Sequence, residues 1–304
     1  MKKIVVIGSI NMDLVTICDR APNGGETLLG TEFFQIPGGK GANQAVTIGK
    51  LGSRVVMLGK VGDDLFGKEL LSSMDKNGVD IQFIEKAPVS TGIAKIVVEK
   101  NGQNRILVVP RANSYVDIEY IDNHLDVIKD CDVVIGQLEI PISTVEYAFK
   151  KAKEYGKITI LNPAPAIKLS EELIKNSDYI IPNESELEVI TGMKIESFDG
   201  IIEAAKKVIK MGVKGLIVTL GEKGSLYLGG DKFTKHSAYK VKAIDTTAAG
   251  DSFIGGFVTR LDLGVDKAIE FATKVSAISV TKRGAQTSIP TMEEVENFVG
   301  EKIK

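Results

Sequence analysis

Short apolar runs recur along this chain, most of them followed by a stretch with helical spacing. The first is KKIVVIGSI, residues 2–10, and others are SRVVMLGKVG (53–62), DVVIGQLE (132–139), ITILNPAP (158–165), DYIIPNE (178–184) and GLIVTLGEKG (215–224). Runs with so little polar alternation are strands buried on both faces, as in a parallel sheet covered by helices. FGKELLSSMDKNG (66–78) and TVEYAFKKAKEYG (144–156) supply helices between them. The alternation predicts an α/β fold with a central, mostly parallel sheet. From Gly250 onward the pattern predicts only helices, over 250–262, 265–281 and 292–303; the last opens at Pro290 and Thr291, with Glu293 and Glu294 in its first turn.

Two segments break this alternation. Residues 12–36 and 91–110 carry strand-like composition without intervening helices, and the second has a period of two around Asn101-Gly102, a hairpin signal. Both predict lid strands, approximately 13–36 and 91–111, forming a small sheet over the ligand site. No linker composition sets these strands apart, so residues 1–304 are expected to form one domain.

Charge and cysteine content exclude several classes. Lys and Arg number 38 against 40 Asp and Glu, a net charge of -2, and no stretch concentrates base as a nucleic-acid surface does. No apolar run approaches the ~20 residues that span a bilayer. Cys18 and Cys131 lack metal-type spacing, and the chain opens on a strand without a signal-peptide pattern, so a reduced, cytoplasmic protein is expected.

The segment IDTTAAGDSF, Ile244 to Phe253, strips away side chains just before a carboxylate. A helix N-terminus presents free N–H groups and partial positive charge, and small residues let an anion approach them. Ala248, Ala249 and Gly250 fit an anion hole for a transferring phosphate, and Asp251 stands where a base accepts the proton of an attacking hydroxyl. That pattern implies phosphoryl transfer to an alcohol; the alternative is an ordinary N-capped helix, with Gly255-Gly256 for close packing.

PGGKGANQAVTIGKLG (37–52) contains a Gly-Lys pair, but Gly41 follows it, so the phosphate-loop pattern fails. Gly38 and Gly39 instead allow close backbone approach to a ligand, and Lys40 and Asn43 at a helix start can donate to hydroxyls. Polar residues also follow the strands: Asn11 and Asp13 after the first, Glu139 after VVIGQL, NESE (183–186) after DYIIP, and Gly221 and Gly224 in TLGEKGS. Ligands of open α/β sheets sit beyond such strand ends.

GSINMD, GGKGANQAV, QLE, NESE, TLGEKG, DTTAAGDSF and KRGAQTSIP together, in this order and spacing, resemble the ribokinase-like (PfkB) carbohydrate kinases over almost the whole chain. The resemblance implies a three-layer α/β fold with a β lid and ATP-dependent phosphorylation, with GSINMD and GGKGANQ most similar to members acting on D-ribose at its 5-hydroxyl. It implies that Asn11, Asp13, Gly39, Lys40, Asn43 and Glu139 hold the sugar. It further implies that Asn183, Thr219, Gly221, Glu222, Lys223, Gly224, Gly250 and Thr273 meet ATP, that Glu186 organises Mg2+, and that Asp251 is the base. Asp245, Thr247, Ser279, Lys282, Gly284 and Ser288 match a monovalent-cation site expected to take K+. Where the family has Gly-Ala-Asn-Ser this chain has Arg111 to Ser114, so a change in that turn is expected to bear on the acceptor. His124 and His236 match no catalytic position. An exposed lid edge suggests a homodimer through the lid. The alternatives are another sugar or a nucleoside as acceptor (deoxyribose, fructose, an adenosine-type molecule) and a non-catalytic sugar sensor. The retained Asp251 and small-residue run count against the sensor.

Overall fold

The computed structural model describes residues 2–230 and 232–303. The strands in chain order are β1 (Lys3–Ile7), β2 (Asn11–Cys18), β3 (Glu32–Gly38), β4 (Arg54–Leu58), β5 (Lys60–Gly62), β6 (Val79–Asp80), β7 (Glu85–Ala87), β8 (Gly92–Glu99), β9 (Asn104–Val109), β10 (Val133–Gly136), β11 (Ile158–Leu161), β12 (Tyr179–Ile180), β13 (Gly215–Thr219), β14 (Ser225–Gly229) and β15 (Lys232–His236). The helices are α1 (Lys40–Lys50), α2 (Leu65–Lys76), α3 (Ile118–Asn123), α4 (Leu125–Lys129), α5 (Ile142–Glu154), α6 (Glu171–Lys175), α7 (Glu184–Thr191), α8 (Phe198–Lys210), α9 (Ala249–Thr259), α10 (Val265–Ser279) and α11 (Met292–Asn297).

Nine strands make the main sheet, in the order β15-β14-β13-β12-β11-β10-β1-β4-β6, with only β14 and β15 antiparallel to their neighbours. The apolar runs behave as their composition predicts, because successive side chains of a strand enter opposite faces. Ile4 and Val6 of β1, Met57 of β4 and Ile135 of β10 join one core with α1, α2, α9 and α10. Val5, Ile7, Leu58 and Val134 join a second core with α3 to α8. The three layers follow directly from that two-sided burial. No helix among the described residues is long and apolar enough to cross a membrane.

The lid is a four-stranded sheet, β3-β2-β8-β9, and its β8–β9 hairpin turns at Asn101-Gly102 with Gly102 left-handed (φ 86°). The first pair of strands runs slightly beyond its expected limits, starting at Asn11 and ending at Gly38, while the second pair, Gly92 to Val109, stays within its own. Asn11 and Asp13 therefore lie within the first lid strand, three and more residues past β1, and not in a loop. Phe33 and Phe34 are adjacent, so they point to opposite faces, yet both are exposed (56% and 41%). The chain itself covers neither side of that part of the lid.

All three C-terminal helices end earlier than their spacing predicts, α10 by two residues, at Ser279. The helix expected over 292–303 keeps its start, a capping box between Thr291 and Glu294, but stops at Asn297. Beyond it Lys240 donates to the Glu301 carbonyl and Ile303 to that of Ala238, so backbone pairing with residues 238–240 replaces the last turns. The helix expected over 250–262 ends at Thr259, and a tight 3-10 turn over Leu261–Leu263 leads into α10.

Candidate active site

Five neighbouring parallel strands, β13, β12, β11, β10 and β1, deliver polar residues at their carboxyl ends: Thr219, Asn183, Asn162, Gln137 with Glu139, and Ser9. Facing them, α9 begins at Ala249 after Ala248, whose φ of 58° is left-handed. Ala248, Ala249, Gly250 and Asp251 line a cleft of ≈ 200 Å³ with Lys40, Asn162, Asn183, Glu186, Thr219 and Thr246. The first turn of α9 thus opens on a polar hollow at the place where an open α/β sheet binds ligands. The Ala249 amide is engaged with the Thr246 carbonyl at 3.2 Å, while the Ser276 hydroxyl holds the Ala249 carbonyl at 3.0 Å.

Asp251 is 6% exposed, and both its oxygens are held. Asn43 donates to Oδ2 and Gln44 to Oδ1, each at 3.0 Å. Asn43, a sugar ligand by resemblance, turns its amide N–H toward Asp251, and its buried Oδ1 has no partner among the described residues.

Beside this carboxylate lies a dense polar group at the root of the lid. Glu139 Oε2 accepts from the Ser9 hydroxyl (2.5 Å), the Lys40 backbone N–H (3.2 Å) and Asn11 Nδ2 (3.4 Å). Asn113 donates to Asn11 Oδ1 at 2.7 Å and accepts from the Ile10 amide at 2.9 Å, which pins β2 to the segment after β9. Burial, reinforced by Glu139 and Asp251 and opposed by Lys40, pushes the Asp13 carboxyl up to about 7. Burial also works against charge on Lys40, but the carboxylates of Asp251, Glu139, Glu186 and Asp13 outweigh it and hold the ammonium above its ordinary value. The two glycines have steric reasons. A Cβ at Gly38 would stand within 2.7 Å of all three Asp13 carboxyl atoms, and Gly39 is left-handed (φ 89°) with its missing Cβ aimed 2.6 Å from the Asn11 nitrogen.

The nucleotide-side residues are only partly gathered. Asn183 caps α7 in a reciprocal box: its Oδ1 accepts from the Glu186 amide (2.8 Å), and the Glu186 carboxylate accepts from the Asn183 amide (2.8 Å) and Nδ2 (3.0 Å). Burial, partly offset by the Asn183 N–H and Lys40, keeps the Glu186 carboxyl above its usual range. Among the described residues no three His, Cys, Asp or Glu side chains cluster as a metal cage. Glu186 at the cleft wall suits Mg2+, which rests on one or two carboxylates plus phosphates and water. Gly221, Glu222 and Lys223 form the 3-10 turn between β13 and β14, with Gly224 (φ 92°) closing it. Lys223 borders a different hollow, with Glu184, Phe198 and Lys235. Thr273 is buried in α10 with its hydroxyl on the Ile269 carbonyl, apart from the cleft lining.

Of the residues expected to hold a cation, Asp245, Thr247 and Gly284 meet directly. Asp245 Oδ1 accepts from the Thr247 amide (2.9 Å) and hydroxyl (2.6 Å), Oδ2 from the Gly284 amide (2.9 Å), and Ile244 and Asp245 donate to the Val280 carbonyl. The Ser279 carbonyl accepts from the Lys282 amide, and Ser288 bonds the Ala285 carbonyl. The Lys282 ammonium pairs with Glu294 and not with Asp245. This donor set of carboxylate, hydroxyl and carbonyl oxygens fits a hard monovalent cation.

Arg111, the departure from the family's glycine, is exposed. It adopts φ 45°, a conformation natural to glycine, and donates from Nε to the Ser90 hydroxyl at 3.0 Å. Sequence reading passed over Gln44, Gln137, Asn162, Asn113, Ser9 and Ser276. Gln44, Gln137 and Ser9 stand within the quoted motifs GGKGANQAV, QLE and GSINMD, Asn113 within Arg111 to Ser114, and Asn162 within the run ITILNPAP; Ser276 carried no signal.

Comparison with known proteins agrees with this geometry. The chain matches the pfkB family carbohydrate kinases over residues 1–292. It is 42% identical to the ribokinase of Schizosaccharomyces pombe, covering 97% of each chain, and 40% identical to the deoxyribokinase of Salmonella typhi, covering 97% of this chain and 98% of that one. It superposes on the Arabidopsis thaliana ribokinase complexed with ribose and ATP with a TM-score of 0.92 at 32% identity, over 98% of this chain and 99% of that one. With a family match spanning nearly its whole length and relatives this similar along theirs, the chain belongs to the pfkB family of carbohydrate kinases.

Proposed function

We propose that this protein transfers the γ-phosphoryl group of ATP to O5 of D-ribose, giving D-ribose 5-phosphate and ADP. The observation that carries the reading is the position of Asp251. It stands on the first turn of α9 between the cleft and the buried polar group of Asn11, Asp13, Lys40 and Glu139. Asp251 takes the O5 proton as the O5–P bond forms and the bond from γ-phosphorus to the β–γ bridging oxygen breaks. The Ala249–Gly250 turn and Lys40 stabilise the charge spread over the transferring group. Asn11, Asp13 and Glu139 supply acceptors for several hydroxyls, as a bare sugar requires. Glu186 and Asn183 hold the nucleotide end, where bound Mg2+ neutralises phosphate charge. Asp245, Thr247, Ser279, Gly284 and Ser288, with the Lys282 backbone, are the K+ ligands of this reading.

A second acceptor, 2-deoxy-D-ribose, is favoured by the 40% identity to the Salmonella deoxyribokinase. ADP release measured across D-ribose, 2-deoxy-D-ribose, fructose and adenosine decides between them: D-ribose is expected to give the highest kcat/KM, and preference for any other acceptor overturns the assignment. Asp251→Asn should lower turnover on the order of 100-fold or more, and near-normal turnover would remove Asp251 from its role. The free, buried Cys18 and Cys131 suit the reducing cytoplasm, where we place the reaction. The uncovered lid, with Ile106 and Leu107 also exposed (60% and 64%), supports a homodimer formed through that sheet, for which a concentration-dependent mass in sedimentation is the check.

A further inference from the structure

Behind Asp251 runs a chain of buried amide side chains that the proposed chemistry does not use. Gln44 is fully buried, one residue past Asn43 on α1. Its Nε2 donates to Asp251 Oδ1 at 3.0 Å and to Asn162 Oδ1 at 3.1 Å, and its Oε1 accepts from Gln137 Nε2 at 2.7 Å. Gln137, equally buried, follows β10, and Asn162 follows β11. Gly8, at the end of β1, leaves room for this chain, since a methyl there would overlap the Gln137 amide.

Hydrogen-bond polarity fixes the direction of the chain. A primary amide has one acceptor end and one donor end. With its oxygen engaged by Gln137, Gln44 must present its NH2 to Asp251. Turned over, it would set its oxygen against a carboxylate and its NH2 against that of Gln137, two repulsions between buried groups. Gln137 and Asn162 therefore determine that Gln44 faces Asp251 as a donor. A donor on Oδ1, matched by Asn43 on Oδ2, fixes the carboxylate plane.

We propose that Gln44 is a positioning residue for the general base, held in its donor orientation by Gln137 and Asn162. The inference rests on Asp251 being that base. The charged groups facing Asp251, which are Asp13 from β2, Lys40 from α1 and Glu186 from α7, are untouched when Gln44 is changed.

The test uses Gln44→Met, which keeps length and loses the donor, and Gln137→Met, which removes the donor that holds Gln44 Oε1. Melting curves first establish that each variant is folded. For Gln44→Met the expectation is a fall in kcat of about tenfold or more with KM for sugar and ATP within about twofold. Gln137→Met should lower kcat by less with the same unchanged KM values, and it carries the test alone if Gln44→Met does not fold. In an Asp251→Asn background Gln44→Met should add less than about twofold. A folded variant with wild-type kcat, while Asp251→Asn is inactive, overturns the positioning role and leaves the base intact. So does a loss of the same size in the Asp251→Asn background, which would mark a purely structural residue. An active Asp251→Asn removes the base, and this role with it.

Discussion

Gly38→Ala adds a single methyl group and isolates what Asp13 does. Gly38 does not occupy the left-handed region, so alanine meets no backbone penalty there, and the effect is steric alone. The new Cβ would lie within 2.7 Å of Asp13 Cγ, Oδ1 and Oδ2, where ordinary contact begins at 3.4 Å. The carboxyl group must therefore retreat by about 1 Å, a displacement that can cost up to ~100-fold when it misplaces a group that holds a reactant. If Asp13 accepts sugar hydroxyls, leaving them unpaired costs about 1–3 kcal/mol, or about 5- to 150-fold. Steady-state kinetics should show kcat/KM for the sugar falling within that range while KM for ATP stays within about twofold. The decisive measurement is the double mutant. Asp13→Ala removes the atoms that the methyl would strike, so Gly38→Ala in that background should add less than about twofold. A full penalty there, or an equal loss toward ATP, would refute the reasoning.

Other perturbations test separate parts of the site. Because the Asp13 carboxyl is pushed up to about 7 by burial, Glu139 and Asp251, the folded chain retains a proton that the unfolded chain has lost. Stability must then fall as pH rises from about 4 to about 7 and level off above. Asp13→Asn cannot ionise, so its melting temperature relative to wild type should climb across that window; a constant difference would count against the raised carboxyl. At fixed ionic strength K+ should activate turnover over Na+, Cs+ and a bulky organic cation, and Asp245→Ala should lose most of that response; identical rates in the four salts would eliminate the site. Arg111 sits at φ 45°, so Arg111→Gly should be more stable to urea than Arg111→Ala by about 1 kcal/mol, and equal midpoints would mean the turn carries no strain.

Much of this protein was legible in its residue pattern because burial on both faces of a sheet leaves a direct mark. KKIVVIGSI and its repeats required helices on either side, Asn101-Gly102 required a hairpin, and Ala248 to Asp251 required a small-residue turn beside one carboxylate. These are local demands, met within a few residues of chain. Folding alone decided which distant groups meet. Gln44 and Asp251 lie 207 residues apart, and Ile10 and Asn113 lie 103 apart, and neither pairing leaves a trace in spacing. The end of α11 was decided in the same way: residues 298–303 can continue a helix, but pairing with Tyr239 and its neighbours satisfies their backbone instead. Arg111 is the reverse case. Its local preference opposes the left-handed turn, yet the surrounding chain imposes that turn, because the Ala112 amide on the Ser90 carbonyl and Asn113 on Ile10 and Asn11 hold both sides of it. Side chains that touch only through the folded backbone can be placed only by that backbone, and in this protein they include the amides that hold the carboxylate on which the proposed chemistry depends.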